Sequence, residues 1–112
     1  MATSRTAVKR LPAARRTKTS RLSGFAPLCK ALGDETRLAI VELLAGRRGE
    51  LCVCEIEAYF ELSQPTISHH LRLLKEAGVV RSERRGPWAY YAIEPGAADA
   101  LDALRVLLAA PR

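Results

Sequence analysis

The segment 63–78 constrains the fold of this chain more than any other part of the sequence. Ser63 is a helix-capping residue, and Pro65 falls in the first turn that would follow it, where proline's missing N–H leaves no hydrogen bond unmade. The apolar residues that follow recur at helical spacing: Ile67, Leu71 and Leu74. Gly78 is suited to end the helix. The segment therefore predicts a helix with one buried face and an opposite, polar face.

Three helices are predicted before this segment. Apolar residues recur at helical spacing over 25–32, and this first helix is expected to end at Gly33. Asp34 is a good N-cap for a second helix, which is expected to stop at Gly46. A third, short helix is predicted over Cys52–Phe60.

Two strands and one more helix are predicted after it. Val79–Arg84 and Trp88–Ile93 are rich in β-branched and aromatic residues, and the glycine and proline between them favour a turn. Pro95 starts a final helix with a repeated apolar face. The predicted fold class is therefore mainly α with a small β-hairpin, a winged helix-turn-helix in the order α-α-α-α-β-β-α.

Basic residues are concentrated at the N-terminus. The chain has 112 residues, with 18 Lys and Arg against 12 Asp and Glu, and seven of the bases but none of the acids lie in residues 1–22. That segment lacks periodic apolar positions. It is predicted to be a disordered basic arm, which either adds phosphate contacts to DNA or only keeps the protein soluble. Residues 23–112 are predicted to form a single DNA-binding and dimerisation domain.

The sequence has no run of 18 apolar residues and no apolar stretch typical of a secretory signal. A protein with no membrane partner and a cytoplasmic location is therefore expected. An enzyme is not expected, because a thiol reductase would need C-x-x-C where this chain has C-x-C, and no glycine loop suited to phosphate is present.

The polar face of the predicted helix over 63–78 has residue types that read DNA. Short hydrogen-bonding side chains lie near its N-terminus, and an arginine follows further along. Two adjacent arginines at the hairpin tip are expected to touch the flanking backbone or the minor groove. The candidate DNA-binding residues are Gln64, Thr66, Ser68, His69, His70, Arg72, Arg84 and Arg85. His70 directly precedes a buried leucine, so a partly buried, hydrogen-bonded role is the alternative for it.

Cys52 and Cys54 open the predicted third helix. Thiolates bind soft ions tightly, and a helix N-terminus lowers the pKa of a thiol. Side chains two positions apart on an α-helix point about 200° apart. We therefore expect an ion held by both thiols to unwind or reorient the first turn and to move the neighbouring DNA-reading helix. The alternatives are two buried or idle cysteines, and a sensor of thiol oxidation on the same scaffold.

Four segments together resemble the ArsR/SmtB family of metal-responsive repressors: 32–38, 50–55, 63–71 and 74–80. The resemblance implies a dimeric winged helix whose first and last helices form the interface. It also implies that the homodimer binds palindromic, double-stranded operator DNA and leaves it when metal binds. A winged helix that only binds proteins, without DNA, is the competing hypothesis.

The Glu-Leu-Cys-Val-Cys-Glu sequence at 50–55 is similar to that of the arsenic- and antimony-sensing members. The similarity implies that Cys52 and Cys54 are ligands of As(III) or Sb(III), which acts as the inducer. Many of these sensors have a third cysteine where this chain has Glu57. Cys29 is the only other thiol of the chain and is the candidate third metal ligand, from its own or the partner subunit. The alternative for Cys29 is a small apolar residue packed in the first helix.

Overall fold

The computed structural model describes residues 23–47 and 49–109. A 3₁₀ turn over Ser23–Phe25 leads into the first helix. The helices and strands of the described residues are α1 Ala26–Leu32, α2 Glu35–Gly46, β1 Leu51–Cys52, α3 Val53–Glu57, α4 Gln64–Glu76, β2 Val80–Arg85, β3 Trp88–Ile93 and α5 Pro95–Ala109. The basic arm predicted over residues 1–22 lies outside the described residues.

Local hydrogen bonds begin and end the helices where the sequence predicts. The Asp34 carboxylate accepts from the backbone N–H of Arg37 at 3.1 Å and caps α2. The Ser63 hydroxyl accepts from the backbone N–H of Thr66 at 3.3 Å and caps α4. Gly78 follows α4 with φ +80°, a left-handed conformation that glycine adopts without a steric penalty.

One apolar core holds the helices and the sheet together. Its largest fully buried side chains come from α2, α3, α4 and β2: Ile40, Leu44, Ile56, Ile67, Leu71, Leu74 and Val80. All three apolar residues predicted on the inner face of α4 are among them, so that prediction is confirmed. The orientation of α4 is therefore set by burial of its whole apolar stripe.

The sheet has three strands instead of the predicted two. The order is β1-β3-β2 and both pairings are antiparallel, with Leu51 opposite Tyr91 and Cys52 opposite Tyr90. The short helix predicted over Cys52–Phe60 is wrong at both ends, because Cys52 belongs to β1 and the helix covers only Val53–Glu57. A two-residue strand has no periodicity of its own, and β1 exists because β3 supplies its hydrogen-bonding partner.

The hairpin is confirmed, with its first strand shifted by one residue at both ends, from the predicted Val79–Arg84 to Val80–Arg85. Val79, predicted to begin the strand, lies in the turn after α4, and its N–H donates to the carbonyl of Leu74 at 2.9 Å. The last helix begins at Pro95 as predicted. None of the described helices is long and apolar enough to cross a lipid bilayer.

The cap of α4 provides a test of the fold. We expect Ser63→Ala to destabilise the protein by about 1 kcal/mol, because the backbone N–H of Thr66 loses its acceptor. Ser63→Asn is the matched control, since its side chain can accept the same hydrogen bond and should retain most of the stability. Urea denaturation of the three proteins measures the difference, and an equal loss in both variants would contradict the cap.

Candidate nucleic-acid interface and thiol site

The outer face of α4 presents a continuous exposed stripe. Gln64, Ser68, His69 and Arg72 are all exposed, and Ile67 and Leu71 face the core behind them. Arg72 places one guanidinium nitrogen 2.9 Å from Nδ1 of His69 and donates to Glu76 at 3.3 Å. The structure therefore brings together four of the predicted DNA-binding residues, on one surface of a rigid helix.

Two further candidates on α4 do not lie on this stripe. Thr66 is half-buried, and its hydroxyl is 2.9 Å from the hydroxyl of Ser63. The side chain of His70 is only 14% exposed, and its Nδ1 lies 3.2 Å from Nη1 of Arg37 and 3.9 Å from the carboxylate of Asp34. His70 therefore has the surroundings of the alternative given for it, a partly buried and hydrogen-bonded residue, while its contact with DNA stays a prediction. The cause is its position beside α2, which covers this side of α4.

Arg37, which the sequence did not single out, links three helices. Its Nε donates to the carbonyl of Ala31 at the end of α1, at 2.6 Å, and its Nη1 meets His70 of α4. The backbone N–H of Arg37, followed by its positive charge, lowers the pKa of Asp34 at the start of α2. The DNA-facing helix is thus tied by polar contacts to the two helices that precede it, in addition to its apolar packing.

The lowered pKa of Asp34 predicts a specific acid dependence. A carboxylate with a lowered pKa in the folded state stabilises the protein above its unfolded pKa, and this contribution is lost as pH falls through the folded value. We expect Asp34→Asn to keep the helix cap but to lose this part of the pH dependence. Melting temperatures from pH 2 to 7 measure it, with Asp99→Asn of α5 as the control. A wild-type melting curve identical in pH dependence to that of Asp34→Asn would contradict the assignment.

The two arginines at the hairpin tip, Arg84 and Arg85, lie on opposite faces of β2. Neighbouring residues of a strand point to opposite faces, so Arg84 and Arg85 do not form one basic cluster. Arg84 is exposed and reaches only the carbonyl of Pro87, at 3.5 Å. Arg85 lies 2.7 Å from the carboxylate of Glu50 and 2.9 Å from that of Glu83. The hydrogen bonds that Arg85 donates to the carboxylates of Glu83 and Glu50 raise the pKa of Arg85, and its charge is balanced within the protein.

The two thiols meet without any distortion of a helix. The Sγ atoms of Cys52 and Cys54 are 3.0 Å apart. Cys52 is the N-cap of α3, with an extended backbone at φ −66° and ψ 149°, while Cys54 lies in the first turn. The backbone N–H of Cys52 donates to the carboxylate of Glu55 at 2.8 Å, which holds this geometry. The expectation that both thiols reach one ion only if the first turn unwinds is therefore wrong, because Cys52 precedes the helix.

The ionisation of the thiol pair also differs from expectation. The hydrogen bond with Cys52 is the largest cause that raises the pKa of Cys54, and burial adds to it. This outweighs the lowering that a helix N-terminus was expected to produce. Cys54 is exposed and Cys52 is buried, so the pair is open to solvent on one side.

Cys29 does not join this pair in one chain. It is exposed on α1, which excludes the alternative of a packed apolar residue within this chain. Among residues 23–47 and 49–109, no three His, Cys, Asp or Glu side chains are arranged to hold a metal ion. The structure therefore shows a two-sulfur site, and a third ligand from the partner subunit stays a prediction.

The chain was compared with known families and proteins. Residues 34–82 match the family model for bacterial regulatory proteins of the arsR family. The arsenical resistance operon repressor of Bacillus subtilis is 39% identical over 67% of this chain and 70% of that protein. This chain belongs to the arsR family. The prediction of that family is confirmed.

Other relatives are named for resistance to different metals. The arsenic resistance transcriptional regulator ArsR1 of Pseudomonas putida is 49% identical over 67% of this chain, which spans 58% of that regulator. A cadmium resistance regulatory protein, the CadC homologue of Staphylococcus aureus, is 44% identical over 62% of this chain and 56% of that protein. The names of these relatives therefore include both arsenic and cadmium resistance.

The fold is that of solved arsR-family structures. The homodimeric winged helix-turn-helix DNA-binding domain of a possible ArsR-family regulator from Mycobacterium bovis superimposes with a TM-score of 0.65. The two are 32% identical, and the match covers 88% of each chain. The predicted fold class, a winged helix-turn-helix with a small β-sheet, is confirmed.

Proposed function

We propose that this arsR-family protein is a transcriptional repressor that binds operator DNA as a homodimer and releases it when As(III) or Sb(III) binds Cys52 and Cys54. The observation that carries the proposal is the pair of sulfurs 3.0 Å apart, at the junction between the sheet and the helix-turn-helix. Such a protein acts in the cytoplasm, where the operator is.

The DNA surface in this proposal is the exposed stripe of α4. Gln64, Ser68, His69 and Arg72 enter the major groove, where amide, hydroxyl, imidazole and guanidinium groups can bond base edges and phosphates. Arg84, near the tip of the β2–β3 hairpin, adds a flanking contact. The proposal gives no direct DNA contact to Thr66, His70 and Arg85, because each is held by contacts within the protein. They affect DNA binding only by positioning other residues.

The proposed homodimer forms through α1 and α5. Apolar residues of α5 are left exposed in the single chain, with Leu101 at 42%, Val106 at 52% and Leu108 at 67%. Between α1, α2 and the start of α5 lies an apolar groove of about 270 Å³, which Leu38 and Leu101 help to line. A second copy of the chain would cover this surface, in keeping with the homodimer of the Mycobacterium bovis relative.

The thiol chemistry favours a trivalent metalloid over a divalent cation. At neutral pH arsenite is As(OH)₃, and its reaction with two neutral thiols forms two As–S bonds and releases two molecules of water. The thiol protons leave on the hydroxide groups, so no proton is released to solvent. A free divalent cation instead requires both thiols to lose their protons. The raised pKa of Cys54 is therefore a penalty for a cation such as Cd²⁺ and not for arsenite.

This difference predicts opposite pH profiles. Between pH 8 and pH 6, we expect the Cd²⁺ concentration for half-release of operator DNA to rise by up to about 100-fold per pH unit, since two protons are displaced. The arsenite concentration for half-release should stay nearly constant over the same range. Fluorescence anisotropy of labelled operator DNA measures both. A steep profile for arsenite would contradict a neutral dithiol site.

The cysteines provide the direct test. We expect the double variant Cys52→Ser with Cys54→Ser to bind the operator but to remain bound at arsenite concentrations that release the wild type. Cys29→Ser is the matched control, because Cys29 is not part of the pair. If the two-sulfur site is sufficient, arsenite should release operator DNA from Cys29→Ser as it does from the wild type. Weaker release from Cys29→Ser would show that the partner subunit's Cys29 supplies a third ligand. If the double variant is released normally, the proposed sensing site is wrong.

Thiol oxidation is the second candidate, because the distance of 3.0 Å between the sulfurs also suits a reaction between them. The thiols of Cys52 and Cys54 would form one disulfide and give up two electrons and two protons. These would reduce hydrogen peroxide to two molecules of water, or an organic hydroperoxide to an alcohol and water. Release of DNA by peroxide but not by arsenite, each added to fully reduced protein, would favour this function over the metalloid sensor.

A further inference from the structure

We infer that Glu50 is a positioning residue through which the thiol-bearing strand β1 holds the wing, so that ion capture is transmitted to DNA through the contact of Glu50 with Arg85. The wing is defined here as strands β2 and β3 with the turn between them. The inference rests on the proposed function and concerns the route from its ion site to DNA. That route differs from the one expected from the sequence, which ran through α4.

The strand pairing places the thiol site and the wing in one sheet. Cys52 is directly opposite Tyr90 of β3, and Tyr90 is directly opposite Glu83 of β2. Directly opposed residues, and residues two apart on one strand, share a face of the sheet. Cys52 and Glu50, which directly precedes β1, therefore share this face with the wing residues Glu83, Arg85, Trp88 and Tyr90.

Side-chain contacts on this face of the sheet join Glu50 to the wing. Both carboxylate oxygens of Glu50 lie within 2.8 Å of one guanidinium nitrogen of Arg85. The same guanidinium stacks on the ring of Tyr90, with its central carbon 4.7 Å from the ring centroid. The side chains of Glu50 and Arg85 are 29% and 47% exposed, so this ion pair lies at the surface and is partly screened by solvent. The connection from the residue before β1 to the end of β2 is thus a charged contact at the surface of the sheet.

An ion between the thiols changes the spacing of the two sulfurs, and we infer that part of this change is taken up by movement of β1 relative to α3. Sulfur–metal bonds near 2.3 Å hold two sulfurs about 3.8 Å apart at the tetrahedral angle and about 3.3 Å apart at a right angle. The sulfurs of the ion-free pair are 3.0 Å apart, so they must separate by several tenths of an ångström. Cys54 lies within α3, whereas Cys52 lies in a strand of two residues held by one neighbouring strand. The movement of Cys52 is carried to Glu50, two residues away.

Glu83 provides an internal control. It holds the same guanidinium of Arg85 at 2.9 Å, yet it belongs to the wing itself. Glu50→Gln and Glu83→Gln each remove one negative charge from the same arginine. The backbone pairing of β1 with β3 stays in both variants, and only the first removes the side-chain contact between the residue before β1 and the wing. Any difference between the variants therefore reports that contact and not the charge.

The experiment measures the operator affinity of the wild type and both variants, with and without arsenite. Ion-free Glu50→Gln should bind the operator at least about fivefold more weakly than ion-free Glu83→Gln, within the usual range of coupling between two sites. Arsenite should weaken operator binding by Glu50→Gln much less than it weakens binding by the wild type or Glu83→Gln. Arsenite binding without DNA should be equal in all three proteins, which shows that the thiol site is intact.

A second readout follows the wing without DNA. Trp88 is the only tryptophan of the chain, and it lies half-exposed at the wing, directly opposite Arg85. Arsenite should change its fluorescence in the wild type and in Glu83→Gln but not in Glu50→Gln. If Glu50→Gln folds poorly, the exchange Glu50→Arg with Arg85→Glu should restore both the ion-free affinity and the response to arsenite.

The outcomes separate this inference from the proposed function. If Glu50→Gln retains the wild-type loss of operator affinity on arsenite, the wing route is wrong while the metalloid sensor stands. If the wild type itself does not respond to arsenite, the proposed function fails. If Glu50→Gln and Glu83→Gln change operator affinity and the response to arsenite equally, Glu50 contributes only its charge. That result would overturn its positioning role.

Discussion

The pairing of two residues of β1 with β3 is the constraint on which the arrangement of the site depends. It holds Cys52 in an extended conformation just before α3, so that its sulfur meets that of Cys54 at 3.0 Å. It also makes the thiol-bearing segment part of the same sheet as the wing. With Cys52 inside the helix, the two thiols would diverge and would have no direct connection to the hairpin.

A second set of contacts orients the helix that is proposed to read DNA. Burial of its apolar stripe sets the rotation of α4, and Arg37 adds polar contacts from α1 and α2 to His70 on its flank. The exposed stripe is therefore presented by a helix that is anchored along its inner face and its side. The thiol pair lies in β1 and α3, whereas the exposed stripe that is proposed to face DNA lies on α4. These elements are joined through the core and through the wing. In the proposed mechanism, this separation lets a small displacement at the sulfurs alter DNA binding without rearranging the exposed stripe of α4.

Local signals in the sequence were enough for most of the fold. The caps at Asp34 and Ser63, the glycine after α4 and the apolar period of α4 each depend on neighbouring residues, and the structure has them where they were expected. The hairpin and the last helix were predictable for the same reason. The family could also be recognised from four short segments, since they combine the capped helices with the C-x-C sequence.

The sequence by itself determined the helices, the hairpin, the exposed polar stripe of α4 and the presence of a thiol pair, because each follows from residues close together in the chain. Only the tertiary structure decided that Cys52 is in a strand, that His70 faces Arg37, and that Arg85 is held by Glu50. These three depend on contacts between residues at least 33 positions apart along the chain, as in the pairs Arg37–His70 and Glu50–Arg85. Such contacts form only when the core packs and brings distant segments of the chain together. A pattern of neighbouring residues therefore cannot predict them.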